Sequence, residues 1–440
     1  MKPNHKKALY VLVALFAIYI ASFYNKQNIA PGDHGRDLYV FDSILKGETP
    51  YLDFLWIYGP LMPYVYAMSM KMFGITIVSA ISTYLVLALG VSLLTFFVCN
   101  ELEFSATGCF LAALIVFYDL ARFFHTYNHI GATIFITLYF LFWIRQWKQT
   151  ISDSTYNFLV FATVVGAIVV KYNMGLALLA ISFVNSIVRL SFARFGTRLT
   201  SIFKTVALTT IPVVVGVIVY WAFLRDVPWV HVKQCFISVG KTYRVFASPI
   251  EVLSEFGYFN MTTAPFFLSI VIPFNVVWLI SSVRKAFSGE REQIMFCLGF
   301  VVSEILLSHE FIMAGATYSL HYFLLPIVVV NFGLIGKWSL DVVSEKMSSV
   351  HLKRFVSAIV PFVALASVLI LIYGNYYRFE RFNSKINLPR ANIFTTNPEF
   401  NFMTEELVRY IESNTSDQEK IMIFPDDALY YFLSNRENAA

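Results

Sequence analysis

Apolar residues along this chain fall into long unbroken runs, not into the short alternating patterns of a soluble fold. A membrane-crossing helix needs about 20 mostly apolar residues. Eleven segments come near that length: 8–24, 75–98, 105–121, 129–147, 156–171, 174–192, 205–224, 263–283, 293–308, 319–336 and 355–374. Lys171 and Asn173 form the main polar break between the fifth and sixth of them. The pattern predicts an all-α polytopic membrane protein with about eleven transmembrane helices.

Lys and Arg in the connectors set a direction. With the N-terminus in the cytoplasm, segments 1–7, 99–104, 145–155, 189–204, 284–292 and 337–354 face inside, and all but 99–104 carry basic residues. That is the positive-inside bias. The outside face then holds 25–74, 225–262, the polar joints 122–128 and 309–318, and everything after 374. Inside connectors are short and basic, so function is expected outside. Lys2, Lys6 and Lys7 followed by 8–24 have the outline of a signal peptide. The run is long and no small-residue cleavage site follows, so it reads as an uncleaved first helix.

Composition agrees. Hydrophobic residues make up 58%, charged residues 14%, and mean hydropathy is +0.64. Soluble domains carry about 25% charged residues, so lipid is the solvent for most of this chain. The net charge of +5 is accounted for by inside-facing basic residues and gives no case for nucleic acid. Cys99, Cys109, Cys235 and Cys297 lie far apart, and only Cys235 falls in an outside loop. Neither a disulfide framework nor a zinc spacing is implied.

The first outside loop (25–74) has the richest local pattern. From Pro31 to Gly47 it reads as a short helix, with Asp33 where an N-cap belongs and Gly47 at the stop. Leu38, Phe41 and Leu45 recur at helical spacing and give one apolar stripe. An amphipathic helix between two spans is expected to lie in the membrane interface. Pro50-Tyr-Leu-Asp53, Tyr58-Gly-Pro-Leu61 and a second amphipathic stretch ending at Phe73-Gly74 follow. After residue 374 the chain turns polar. A helix is expected over 404–414, a strand over 421–425 and a short helix over 428–433, a small α/β tail over the outer mouth of the bundle.

An acidic residue opening the first outside helix, then Leu45-x-Gly47-x-x-Pro50-Tyr51-x-Asp53, Gly59-Pro60-Leu61 and Phe73-Gly74, resembles bacterial members of the glycosyltransferase C superfamily. That superfamily includes the dolichyl-phosphate-mannose protein mannosyltransferases and the aminoarabinose transferase of lipid A. Lys171-Tyr-Asn-Met-Gly175 resembles a joint seen in bacterial relatives. The resemblance implies a transmembrane module over 1–374 in an N-in bundle, with the active site in the first outside loop. Relatives often continue into a larger outside domain, so the tail at 375–440 is expected to be a short or truncated version. The setting would be the inner (plasma) membrane of a bacterium, with active site and C-terminus on the periplasmic side.

The activity implied is transfer of a sugar from a polyprenyl-phosphate carrier to a glycan, lipid or protein acceptor. Such a donor is already activated, so the enzyme must deprotonate the acceptor and receive a departing phosphate. A carboxylate suits the first task, and Arg or Lys suits the second. The resemblance makes Asp33 the general base, with Arg36 three residues on holding the lipid phosphate. Asp37 and Asp53 are further catalytic candidates, and Arg122, Lys171 and Arg244 further phosphate contacts.

Each has a plainer reading. Asp33 could be only a helix cap, Asp37 the partner of an exposed cation, and Asp53 a turn residue. Lys171 could snorkel to the interface, and Arg122 could pair with Asp119 one turn earlier. Lys233, Lys241 and Arg244 could form a solvated face. His125, His129, His309 and His321 gather near the outer ends without a metal-binding spacing, and Glu304 and Glu310 lie within and just beyond a span. No cofactor is identified, and a divalent metal is left open. Two departures from the family pattern stand out. His34 follows Asp33 where many relatives have Glu, and Tyr58-Gly59 precedes Pro60 where a basic residue is common.

Two other functions use the same helices. A surface-polysaccharide polymerase or ligase would carry its large arginine-bearing loop late in the chain. A lipid-linked sugar transporter without catalysis would need polar positions at mid-span and two similar halves.

Overall fold

Apolar runs in lipid become helices because the backbone finds no hydrogen-bonding partner there except itself. The computed structural model of the protein describes residues 1–122, 127–192, 198–238, 291–309, 325–346, 369, 373–374, 376–423 and 427–439. In chain order the helices are α1 (Pro3–Phe23), α2 (Asp33–Leu45), α3 (Leu61–Phe73), α4 (Ile77–Glu101), α5 (Ala106–Arg122), α6 (His129–Trp147), α7 (Asp153–Val170), α8 (Tyr172–Phe192), α9 (Arg198–Leu224), α10 (Trp229–Lys233), α11 (Arg291–Leu307) and α12 (Leu325–Lys346). A π-helical turn, Gln234–Ser238, continues α10. Among the described residues α1, α4, α6 and α7 are each long and apolar enough to cross a membrane, and shorter apolar helices join them. The spans expected at 263–283 and, for the most part, 355–374 lie outside the described residues.

Polar residues inside the bundle are paired between neighbours. The Tyr84 hydroxyl donates to Leu120 O at 3.1 Å, and Ser92 Oγ to Ala113 O at 2.6 Å, locking α4 to α5. Glu304, buried on α11, accepts from Asn331 Nδ2 of α12 at 2.6 Å. This pair gives the membrane-embedded carboxylate a helix-to-helix partner. The run 156–192 is indeed two helices. The Lys171 amide still bonds to Ala167 O at 2.8 Å, but its own φ of −154° and ψ of 99° are extended, and α8 starts anew at Tyr172.

The connection between α1 and α4 contains the two helices its pattern predicts. Leu38 and Phe41 of α2 are fully buried, and Gly47 follows at φ 94°. One expectation is corrected: Gly32 occupies the cap position and Asp33 is the first helical residue. Its carboxylate is held by Arg36.

The tail is larger in regular structure than its sequence pattern predicts. Strands β1 (Ser384–Leu388) and β2 (Ala391–Thr395) form an antiparallel hairpin turning at Pro389-Arg390. Helix α13 (Pro398–Asn414) begins at Asn397, whose side chain accepts from Phe400 N at 3.1 Å, well before residue 404. Of the strand expected at 421–425, a two-residue piece is found, β3 (Lys420–Ile421). It pairs in parallel with β4 (Glu437–Asn438), and α14 (Ala428–Ser434) lies between them. The hairpin reaches back to the segment after α1. Phe394 N donates to Asn25 O at 2.7 Å, and Gln27 N to Phe394 O at 3.1 Å.

Candidate active site

Helix α2 sets the site because its three sides face three surroundings. Residues 34, 38 and 41 share one side and are buried against the bundle. There the Phe41 ring stacks on Tyr66 at 4.8 Å and meets Tyr127 edge-on at 5.6 Å. Residues 35, 39 and 42 share a second side, which the tail covers. A Cβ on Gly35 would run into the backbone and side chain of Leu429, so only glycine lets α14 approach this closely. The third side carries Asp33, Arg36 and Asp37.

On that side Arg36 holds two carboxylates. Its Nη1 donates to Asp33 Oδ1 at 2.9 Å, and its Nη2 and Nε to Asp37 Oδ1 at 2.8 and 3.1 Å. Asp37 is fully buried, and its second oxygen accepts from the Tyr127 amide at 3.1 Å. Asp37 therefore fixes the guanidinium to the bundle. Burial pushes the Asp37 carboxyl above its ordinary range, while Arg36 and the Tyr127 amide pull it back. Burial also works against the Arg36 charge, and the carboxylates of Asp37 and Asp33 outweigh it and keep Arg36 protonated. Asp33 differs: its side chain is 41% exposed, so it is the acidic group of the three that an incoming molecule can reach.

Aromatic residues of the second half of the loop face this cluster. The Arg36 guanidinium lies 5.9 Å from the Trp56 ring and 5.6 Å from the Tyr58 ring. Tyr58 is held through its backbone, its carbonyl accepting from the Tyr51 hydroxyl at 2.6 Å. Tyr51 sits at φ 72°, a conformation side-chain-bearing residues rarely adopt. Trp56 Nε1 donates to Gly59 O at 3.0 Å.

Lys171 approaches the same Tyr58 ring from a different part of the chain. Its Nζ is 5.6 Å from the ring centroid and 3.2 Å from His129 Nε2. An ammonium can only donate, so His129 accepts there. Only 5% of Lys171 is exposed. It does not snorkel outward along the helix, because the break between α7 and α8 turns it toward the loop. The junction is tight: Gly59 N donates to Val170 O at 3.0 Å and Asn128 Nδ2 to the same oxygen at 3.3 Å. A Cβ on Gly59 would overlap the Val169 carbonyl. Nearby in sequence, Asn173 Nδ2 donates to His309 Nε2 at 3.2 Å, joining α8 to the residues just past α11.

The other expected site residues fare differently. Asp53 is on the exposed side of the loop, where its carboxylate accepts from the Thr49 amide at 2.7 Å and closes a turn. Arg122 ends α5, but its side chain, and with it the pairing expected with Asp119, lies outside the description. Lys233 is exposed on α10. Lys241, Arg244, His125, His321 and Glu310 lie outside the described residues. No group of three or more His, Cys, Asp or Glu side chains is arranged to hold a metal among the described residues. Both Asp37 oxygens are engaged, and Asp33 Oδ1 is held by Arg36. The sequence reading assigned no role to Tyr58, Trp56, Tyr127 or Arg390. The signal for the first two is their place beside Gly59-Pro60.

No family model matches the sequence, and no curated protein matches it. Solved structures do match by fold. The aminoarabinose transferase ArnT from Cupriavidus metallidurans, in a crystal structure bound to undecaprenyl phosphate, superposes with a TM-score of 0.57 at 13% identity, covering 98% of this chain and 85% of its own. Its apo structure gives 0.53 at 14% identity, covering 98% and 84%. The archaeal oligosaccharyltransferase AglB from Archaeoglobus fulgidus, in complex with an inhibitory peptide and a dolichol-phosphate, gives 0.51 at 14% identity, covering 98% and 64%. The chain is a mostly helical polytopic membrane protein that shares its fold with these solved structures. At these identities the likeness speaks for the fold.

Proposed function

We propose that the protein is a membrane glycosyltransferase that moves a sugar from a polyprenyl-phosphate carrier to a hydroxyl on a glycan, lipid or protein acceptor. The observation that carries this reading is the juxtaposition at Tyr58. A half-exposed carboxylate, Asp33, shares an arginine with a buried one, and that arginine and Lys171 lie at equal distance from one aromatic ring. Bound undecaprenyl phosphate in ArnT and dolichol-phosphate in AglB support the choice of carrier.

In this reading Asp33 takes the proton of the acceptor hydroxyl as its oxygen attacks the anomeric carbon. The bond from that carbon to the phosphate oxygen breaks, and its electron pair leaves with the polyprenyl phosphate. Arg36 and Lys171 receive the added negative charge in a site partly closed to water, where such contacts act strongly. Asp37 keeps Arg36 in place throughout. The N-terminus would be cytoplasmic, and the site and tail on the periplasmic side of a bacterial inner membrane.

Purified protein incubated with radiolabelled polyprenyl-phosphate sugars and cell-envelope acceptors tests the reading. Wild type is expected to transfer label and Asp33→Asn to lose about 100-fold or more of the rate, the scale of general-base catalysis. Transfer at the wild-type rate by Asp33→Asn would remove Asp33 from the mechanism. A cysteine at exposed position 403, labelled from outside the cell by an impermeant reagent, tests the orientation.

A further inference from the structure

The tail presses on the side of α2 that carries residues 35, 39 and 42. At 100° per residue, these three lie about 120–180° round the helix from Asp33 and about 60–120° from Arg36, and each meets the tail. Gly35 lies against Leu429. The Tyr39 ring is 5.6 Å from that of Tyr431. Asp42, which is 3% exposed, pairs with Arg390 at 3.0 Å.

Arg390 is the hub. Besides Asp42 it donates to Phe432 O at 3.0 Å and to Asn435 Oδ1 at 2.7 Å, so it joins α2 to α14. Its own carbonyl accepts from Ile77 N at 2.9 Å, which ties the hairpin turn to the start of α4. The rotation of α2 about its axis is thus held on one side by Asp37 and Tyr127, and on the other by the tail, where Arg390, anchored to a long helix, supplies the charged tie; Asp42 shares its carboxylate between Arg390 and Lys46 of the next turn.

We propose that Arg390 is a positioning residue for the transfer reaction: through Asp42 it fixes the rotation of α2 and so the direction in which Asp33 and Arg36 point. The inference rests on the proposed activity for its kinetic consequence but not for its structural one. Lys171 comes from the joint between α7 and α8 and is independent of this clamp. Loss of Arg390 should therefore impair the chemical step, which needs both Asp33 and Arg36 in place, more than carrier binding, of which Lys171 keeps its share.

The experiment compares full-length wild type, Arg390→Ala, Arg390→Lys and Arg390→Ala carrying a Tyr39→Cys/Tyr431→Cys crosslink, each purified in detergent. Two quantities are read: kcat and KM for the polyprenyl-phosphate sugar, and amide hydrogen exchange across residues 33–45. Arg390→Ala is expected to lower kcat per folded molecule by about 100-fold, the scale for a reacting group misplaced by about 1 Å. KM should change no more than about threefold by the same reasoning, exchange should quicken over 33–45, and Arg390→Lys should recover part of kcat. Closing the crosslink should restore both kcat and protection. Unchanged kcat per folded molecule, even with a lower unfolding temperature, would reduce Arg390 to a structural residue and overturn the proposal. So would lost kcat with unchanged exchange over 33–45. If wild type transfers no sugar, the proposed activity fails, and exchange alone decides: quickening confined to 33–45 upholds the clamp, and wild-type protection in Arg390→Ala overturns it.

Discussion

The amide of Gly59 donates to the carbonyl of Val170 across 3.0 Å, and this bond draws the first loop against the break between α7 and α8. The space for a Gly59 side chain is taken by the Val169 carbonyl. Gly59→Ala must therefore separate the two backbones, at an expected loss of about 1–3 kcal/mol, the range for forced overpacking. Thermal unfolding in detergent reads this directly. A variant melting with wild type would mean that the loop yields without strain.

Arg36→Ala should be more damaging than the partial exposure of this side chain suggests. It leaves the fully buried Asp37 with the Tyr127 amide and without the guanidinium. Breaking a buried pair by removing one member costs about 3–5 kcal/mol. Arg36→Ala/Asp37→Asn, with no carboxylate to strand, should regain most of that. The comparison of unfolding temperatures fails the argument if the double variant is no better than the single.

The same carboxyl gives a pH signature. Burial raises Asp37 in the folded state. A raised carboxyl favours folding below its unfolded pKa of about 3.9 and loses that contribution as pH rises through the folded value. Removing Arg36 removes the strongest opposing pull, so Arg36→Ala should lose stability more steeply than wild type as pH rises from about 4. Asp37→Asn should flatten the profile. Unfolding temperatures recorded across that range would contradict this if Arg36→Ala followed the wild-type slope.

If Lys171 receives the carrier phosphate, Lys171→Gln removes a charge-assisted contact of about 1.5–3 kcal/mol. The Kd for undecaprenyl phosphate should then rise by about 10- to 100-fold. Lys171→Arg should retain most of the affinity. Binding followed by native mass spectrometry checks this, and an unchanged Kd for Lys171→Gln would assign the lysine to His129 alone.

Glu304 is expected to serve packing. Glu304→Gln keeps an acceptor for Asn331 Nδ2 and should preserve activity and stability. Glu304→Ala withdraws that acceptor from the buried amide and should cost about 1–3 kcal/mol. Loss of transfer in a well-folded Glu304→Gln would instead make the carboxylate functional.

How much of this was legible in the sequence depended on the range of the interactions. Helix α2 was readable because Leu38, Phe41 and the stop at Gly47 are local signals, and the break at Lys171 was readable because charge within an apolar run is rare. The pairing of Arg36 with Asp33 follows from their three-residue spacing. In the sequence Asp37 is both a catalytic candidate and a possible partner of an exposed cation. Its burial depends on the Tyr127 amide 90 residues away, which no local pattern announces. Asp53 resolved into the turn residue that was one of its two readings. The β1–β2 hairpin is hard to see in the sequence because its strands, Ser384–Leu388 and Ala391–Thr395, are only five residues each, and their alternation around Pro389-Arg390 is a weak signal at that length. Arg390 carried no sequence signal at all, since its partners lie in three separate elements.

The hairpin turn has a consequence for how the protein is made. Segment 25–28, α2 and the start of α4 are synthesised long before the tail, yet each is bound by residues between 390 and 435. At about 5–20 residues per second, the chain spends many seconds with its first loop translated and its clasp not yet built. On the ribosome the early loop has only the bundle to lean on, and it acquires its lasting shape when the last strands fold back over it.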